Sequence, residues 1–276
     1  MRSPLRLTLC AVGLAGAVGL ALPSASAGDA VGILVLKEHG VGSAAQAQPY
    51  VDKFVAAAAK LAGWPVAKGQ YVTARSAADA VITAEKPHYG IFSLGAFLGM
   101  KAKYNLEPIG QVQVARLGGQ QYFLVSKTAT DLGGCKGKRL ASDHADDPRF
   151  LETVVAAGAF KLADFTLVAT TRPTQTIKKV VTGEAECALV DDAQAEEMSH
   201  IEGAGEVKKV WSSARLPPMV VVAFPSAPAA ERATAQQTLS RVCEGDGKQT
   251  CAEVGLTAIK PASATDYASV LAAYDK

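Results

Sequence analysis

Short runs of apolar, β-branched residues alternate along the chain with stretches of helical periodicity, and this alternation narrows the possible folds to βα units around mainly parallel sheets. Val31–Leu36 reads as a first buried strand. Beyond a glycine-rich loop at 40–42, Ser43 can cap a helix in which Val51, Phe54, Val55, Ala58 and Leu61 recur at helical spacing. A second buried strand is expected at 89–94, followed by a helix at 96–103. The pattern then changes to two strand-like runs, 112–115 and 122–125, around Leu117, Gly118 and Gly119, an extended stretch suited to crossing between two units. The middle third predicts strands at 139–142, 166–169 and 187–190 with helices at 148–160 and 174–182. The runs 207–211 and 219–224 bracket Leu216, Pro217 and Pro218, a rigid turn that can carry the chain back. Helices are expected at 229–242 and 265–274.

At the amino terminus, Arg2 and Arg6 precede an apolar run at 7–22 and the small-residue site Ala25-Ser26-Ala27. This is the layout of a secretory signal peptide cleaved before Gly28. Glycines interrupt the run, which falls short of the ~20 apolar residues a membrane span needs. Cys10 lies inside the run and is badly placed for lipidation. Cleavage leaves 249 residues with 26 basic against 26 acidic side chains. That balance, with few aromatic residues, argues against a nucleic-acid partner. Cys135, Cys187, Cys243 and Cys251 remain, an even number bound for an oxidising compartment. Cys243 and Cys251 flank a short polar loop and make the natural first disulfide, which leaves Cys135 for Cys187. Their spacing is too wide for a cysteine metal site, and no metal or other cofactor is expected.

The order of elements suggests a chain that builds one lobe, crosses to a second and returns: 28–118 and 216–276 for lobe I, 119–215 for lobe II. Ligands of open α/β sheets bind beyond the carboxyl ends of strands, so function is sought in the loops 38–43, 93–97, 143–147, 170–174 and 191–192. The candidate ligand-binding residues in them are Glu38, His39, Ser93, Leu94, Phe97, Asp143, His144, Asp146, Arg172, Thr174 and Asp191. Arg172, with its planar fork, is the candidate for an anionic group on the ligand, the alternative being an ion pair with a nearby aspartate. Asp147 and Pro148 read as the cap and first residue of the following helix, and Asp192 as solvated. His39 and His144 with Glu38 and Asp146 could in principle hold a metal, but nothing in the sequence sets their mutual distance. Tyr50, Phe54 and Phe97 read first as core residues; facing the cleft, they would instead suit a lipid-like or sterol-like guest.

From Lys136 to Asp192 the chain resembles the phosphonate-binding type of periplasmic protein that serves ABC transporters. The likeness rests on Gly137-Lys138-Arg139-Leu140-Ala141-Ser142-Asp143, on Thr182-Gly183-Glu184-Ala185-Glu186-Cys187-Ala188-Leu189-Val190-Asp191 and on Ser93-Leu94-Gly95-Ala96. It continues more weakly through Gly255-Leu256, Pro261 and Asp266-Tyr267. The resemblance implies an α/β, two-lobed periplasmic-binding-protein type 2 fold, each lobe a mixed sheet flanked by helices, with a hinge of two crossover segments. It also implies a monomer that closes on one small-molecule ligand and delivers it to an ABC-type inner-membrane permease, and a family contact to the ligand at Asp191. The chain departs from the family at the ligand. Where phosphonate binders carry serine and threonine hydroxyls, it reads Asp143-His144-Ala145-Asp146-Asp147-Pro148, and Ser93 replaces a frequent tyrosine. Carboxylates repel a phosphonate dianion, so a different ligand is expected. An enzyme is not: there is no Gly-x-Ser-x-Gly elbow, no His-Glu-x-x-His and no phosphate-binding loop.

Overall fold

The computed structural model describes residues 30–39, 43–115 and 118–276; the expected signal segment 1–27 with Cys10, the glycine loop 40–42 and Leu117 lie outside the described residues. The chain first lays down β1 (Val31–Leu36), β2 (Ala67–Val72), β3 (Tyr89–Phe92) and β4 (Glu107–Val114). It continues with β5 (Tyr122–Ser126), β6 (Arg139–Ser142), β7 (Thr166–Ala169), β8 (Cys187–Asp191) and β9 (Lys208–Ser212), then with β10 (Met219–Ala223) and β11 (Leu256–Pro261). Two sheets result, ordered β11-β4-β10-β3-β1-β2 and β7-β6-β8-β5-β9. Both are mixed: β1 runs parallel to β2 and β3, and β6 to β7 and β8, while β10 and β5 pair antiparallel.

The continuous apolar run of β1 follows from burial on both faces. Leu34 and Leu36 join one core cluster with Phe92, Val220 and Val222, while Ile33 and Val35 join another under Val51, Phe54 and Val55. Those last three belong to α1 (Ala44–Ala62), which starts at a capping box of Ser43 with Gln46 and ends at left-handed Gly63. The first core cluster does not stop at one sheet. It runs on through Tyr122, Leu124, Leu140, Phe150 and Leu189, so the two halves share apolar contact beneath their facing loops.

Six elements escaped the sequence reading, three of them short helices at 132–135, 192–197 and 247–253. β2 is only partly buried and lacks clean alternation, and α2 (Arg75–Glu85) begins after Ala74 with no side-chain cap to announce it. β11 also lies at a sheet edge. After α3 (Leu94–Tyr104) and the short α4 (Leu132–Cys135), the expected helix at 148–160 is corrected. The chain winds as a π-helix over Phe150–Val155, and left-handed Ala157 and Gly158 (φ 47° and 84°) stop it. Its buried Phe150, Leu151, Val154 and Val155 pack toward α3 and toward the carboxyl-terminal helix described next. The remaining helices are α5 (Pro173–Val181), α6 (Asp192–Glu197), α7 (Ala229–Leu239), α8 (Gly247–Glu253) and α9 (Ala268–Tyr274). Among the described residues no helix is long and apolar enough to cross a membrane. Both expected disulfides are present, Cys135–Cys187 and Cys243–Cys251, with Cα separations of 5.9 and 5.4 Å.

The chain passes between the sheets at 115–121, of which 115 and 118–121 are described, and at 213–218, and hydrogen bonds join the second crossing to the first and to the start of β5. Leu216 N–H donates to the Gln120 carbonyl (2.7 Å), Ser213 N–H to that of Tyr122 (2.8 Å), and Arg215 Nη2 to Gln120 Oε1 (3.0 Å).

Candidate functional site

The loops that follow β1, β2, β3, β6 and β8 converge between the two sheets, as strand-end geometry dictates. They border a chamber of about 90 Å³, lined by Glu38, His39, Arg75, Ser93, Leu94 and Gly95 from one side and by Tyr122, His144, Asp146, Asp147, Phe150 and Asp191 from the other. Such a space suits a few waters or one small solute. A wider vestibule of about 860 Å³ opens outside it, sharing Glu38, His39, Arg75 and Asp146 and adding Asp143, Arg172 and Thr174. Ten of the eleven candidate residues therefore border one of these two spaces. Phe97 does not: fully buried, it packs against Tyr267 with ring centroids 5.9 Å apart, as a core residue.

Arg75 organises the chamber, and sequence reading missed it. Its guanidinium forks onto Glu38 (Nε–Oε1 2.8 Å, Nη2–Oε2 3.0 Å) and reaches across to Asp147 (Nη1–Oδ2 2.7 Å). Room for the flat group comes from α3, where a Cβ on Gly99 would sit 2.4 Å from Nη1 and one on Gly95 3.5 Å from Nη2. Burial works against its charge, yet the two carboxylates outweigh that and raise its pKa further. Asp147 meanwhile accepts from Phe150 N–H (2.9 Å), the capping role read from the sequence, and its Oδ2 lies 3.5 Å from Tyr274 Oη.

A second bridge between the halves joins His39 Nε2 to Asp146 Oδ1 at 3.4 Å. Burial lowers the His39 pKa, but the hydrogen bond to Asp146 and the charges of Asp146, Glu38 and Asp143 prevail and leave it raised. Burial likewise opposes the charge on Asp146, whose pKa His39 and Arg75 nevertheless hold below the usual value. His39 stands in the left-handed region (φ 55°), a strained setting of the kind found at ligand sites. Its ring lies 4.4 Å from that of His144, which in turn meets Tyr122 edge-on at 5.2 Å. Burial, then the charges of Asp191, Asp192, Glu38 and Asp143, push the Tyr122 phenol well above its ordinary pKa, a measure of how negative this region is.

Several acidic groups are already engaged. Asp143 Oδ1 accepts from Thr176 Oγ1 (3.0 Å) and Gln194 Nε2 (2.9 Å). Asp191 caps α6 through Gln194 N–H (2.8 Å) and also accepts from Gly119 N–H (3.1 Å) in the first connecting segment. Asp192, expected to be solvated, is buried instead. Its Oδ1 accepts from Gln120 N–H (3.3 Å), Oδ2 has no partner, and burial first, then Asp191, raise its pKa. Arg172 and Thr174 are exposed on the vestibule wall, and Arg172 forms no ion pair among the described residues. Nor do the described residues contain a group of three histidine, cysteine or acidic side chains placed to hold a metal.

Residues 67–267 match the model of the ABC-transporter phosphonate periplasmic substrate-binding proteins. No match was found among curated proteins. Solved structures of similar fold include a Xanthomonas citri protein bound to ATP (TM-score 0.67, 12% identity, covering 89% of this chain and 96% of that one). PhnD1 from Prochlorococcus marinus in complex with methylphosphonate is also similar (TM-score 0.64, 11% identity, 87% and 95% covered). So is a binding protein component of the ABC phosphonate transporter of Pseudomonas aeruginosa (TM-score 0.64, 12% identity, 88% and 85% covered). These likenesses establish the type 2 periplasmic-binding fold. They do not choose a ligand, since similar folds here hold molecules as different as ATP and methylphosphonate.

Proposed function

Because this chain belongs to the family of periplasmic substrate-binding proteins of phosphonate ABC transporters, we propose that it captures one small polar solute between its sheets and hands it to an inner-membrane permease. The family is one of solute-binding proteins and not of enzymes. The observation that carries the reading for this chain is the chamber of about 90 Å³ built from strand-end loops of both sheets. The segments 115–121 and 213–218 serve as the hinge, with 28–118 and 216–276 as one lobe and 119–215 as the other. Arg75–Asp147 and His39–Asp146 are the contacts that form on closure.

The ligand we favour is not a bare phosphonate dianion. Four carboxylates line the chamber (Glu38, Asp146, Asp147 and Asp191) against the fixed cations Lys37 and Arg75, so a protonated His39 still leaves an excess of negative charge. Desolvated like charges are strongly repulsive. A lipid-like or sterol-like guest has less support, because the closed chamber is too small for one. The test is native mass spectrometry of the protein purified from its own envelope, followed by calorimetric titration of the emptied protein with the molecule recovered. One bound small polar molecule per chain, with a compaction on rebinding seen by X-ray scattering, is the expected result. Protein that carries no solute and never compacts would remove the reading.

A further inference from the structure

Among the described residues, four border both the chamber and the vestibule outside it: Glu38, His39, Arg75 and Asp146. All four are ionisable, and all are paired. Arg75 forks onto Glu38 within one half and reaches Asp147 of the other, while His39 Nε2 meets Asp146 Oδ1 at 3.4 Å. Two ionic contacts therefore cross between the loops of the two sheets where one space gives way to the other. They differ in kind. A guanidinium is always protonated in proteins, so the cation of Arg75–Asp147 is constant; an imidazole gains and loses its charge between about pH 5 and pH 8, so the cation of His39–Asp146 is not. The charged or titratable groups around His39 are Lys37 and Glu38 beside it, Arg75 from α2, and Asp143, His144 and Asp146 from the loop after β6, with Arg172 on the vestibule wall. Burial works against a positive charge on His39, yet the bond to Asp146 and the charges of Asp146, Glu38 and Asp143 prevail and raise its pKa. Its side chain is 23% exposed, so solvent protons reach it.

We propose that the His39–Asp146 pair is a pH-operated latch between the two halves: with the imidazole protonated it holds the loops of both sheets together over the chamber, and with the imidazole neutral it lets them part. Arg75–Asp147 supplies the constant share of the closure and His39 the adjustable share. Retention of a solute is thereby favoured on the acid side and release on the alkaline side. The inference rests on the reading of the two halves as closing lobes and adds a control to it.

The experiment follows the separation of the halves in the mature protein, without added solute, by single-molecule energy transfer between dyes on Ala84→Cys and Glu202→Cys, two exposed positions. The four cysteines among the described residues are tied in disulfides, so the dyes label the introduced thiols. The ratio of closed to open molecules is expected to fall roughly twofold to fivefold between about pH 5.5 and pH 8.5, the size of effect a part-exposed ion pair supplies. His39→Gln and Asp146→Asn should each remove the dependence and hold the parent's alkaline ratio throughout. The His39 ring resonance, followed by NMR, should also titrate at lower pH in Asp146→Asn than in the parent, a shift that simple misfolding does not produce. A ratio that does not change with pH, a change that persists in His39→Gln and so belongs to another group such as His144, or a His39 titration unmoved by Asp146→Asn would each overturn the inference. None of these outcomes bears on solute capture, so the receptor reading stands or falls separately, on the molecule recovered from the envelope.

Discussion

Replacing Arg75 by leucine tests the construction of the closed site most directly. The Arg75 side chain is 29% exposed, but the side chains it joins are nearly buried, Glu38 at 8% and Asp147 at 10%. Removing one partner from a buried ionic group leaves charge without compensation and costs about 3–5 kcal/mol. The partial exposure of Arg75 places the expectation at the lower end, about 3 kcal/mol. For a chain of this size that corresponds to a fall in Tm of roughly 6–12 °C. Urea unfolding followed by circular dichroism measures it, and Arg75→Lys supplies the control. Lysine keeps the charge without the fork, and should lose less than leucine but remain below the parent protein. A double-mutant cycle with Asp147→Asn should return a coupling of about 1–3 kcal/mol, since the two groups touch. A loss below about 0.5 kcal/mol for Arg75→Leu, the range of ordinary surface substitutions, would refute the argument that this pair joins the halves in a desolvated setting.

Gly99→Ala should act on the same network from behind: its Cβ would fall 2.4 Å from Arg75 Nη1, and the guanidinium must leave Asp147 to make room. Unfolding should show a loss despite the roughly 1 kcal/mol that alanine adds to a helix. His39, with its pKa raised above 6.5, contributes stability that is fully present below pH 6.5 and is lost as pH rises through its folded value. The urea midpoints of the parent and His39→Gln should accordingly diverge on the acid side of pH 6.5 and converge on the alkaline side; a constant difference would refute the pairing with Asp146. Opening Cys135–Cys187, which spans 52 residues, by paired alanine substitution should cost about 4 kcal/mol. Opening Cys243–Cys251, which spans 8, should cost about 2–3 kcal/mol, and the reverse order in denaturant titrations would count against the chain-entropy account.

Much of this architecture is written locally. The apolar run of β1, the helical recurrence of Val51, Phe54 and Val55, the cap at Ser43 and the pairing of four cysteines depend on neighbours within a few turns or on simple counting, and a linear string displays them. The strand-end rule likewise sent attention to Glu38, Ser93, His144 and Asp146 before any coordinates, because a sheet's topology determines where its loops emerge. What stayed hidden was who meets whom. Arg75 begins an uncapped helix after an edge strand and looks like a surface residue, until folding sets it between carboxylates 37 positions before it and 72 after it. Asp191 is expected to meet the ligand and Asp192 to be solvated, yet both accept from backbone N–H groups of the connecting segment. The direction of the Gln194 amide follows from Asp143 and Asp191 together. Periodicity records which face of an element leaves water, and that a sequence can state alone. The partner of a charge or a lone pair depends on distances of a few ångströms between residues far apart in the chain, and only the folded arrangement of the two sheets sets those.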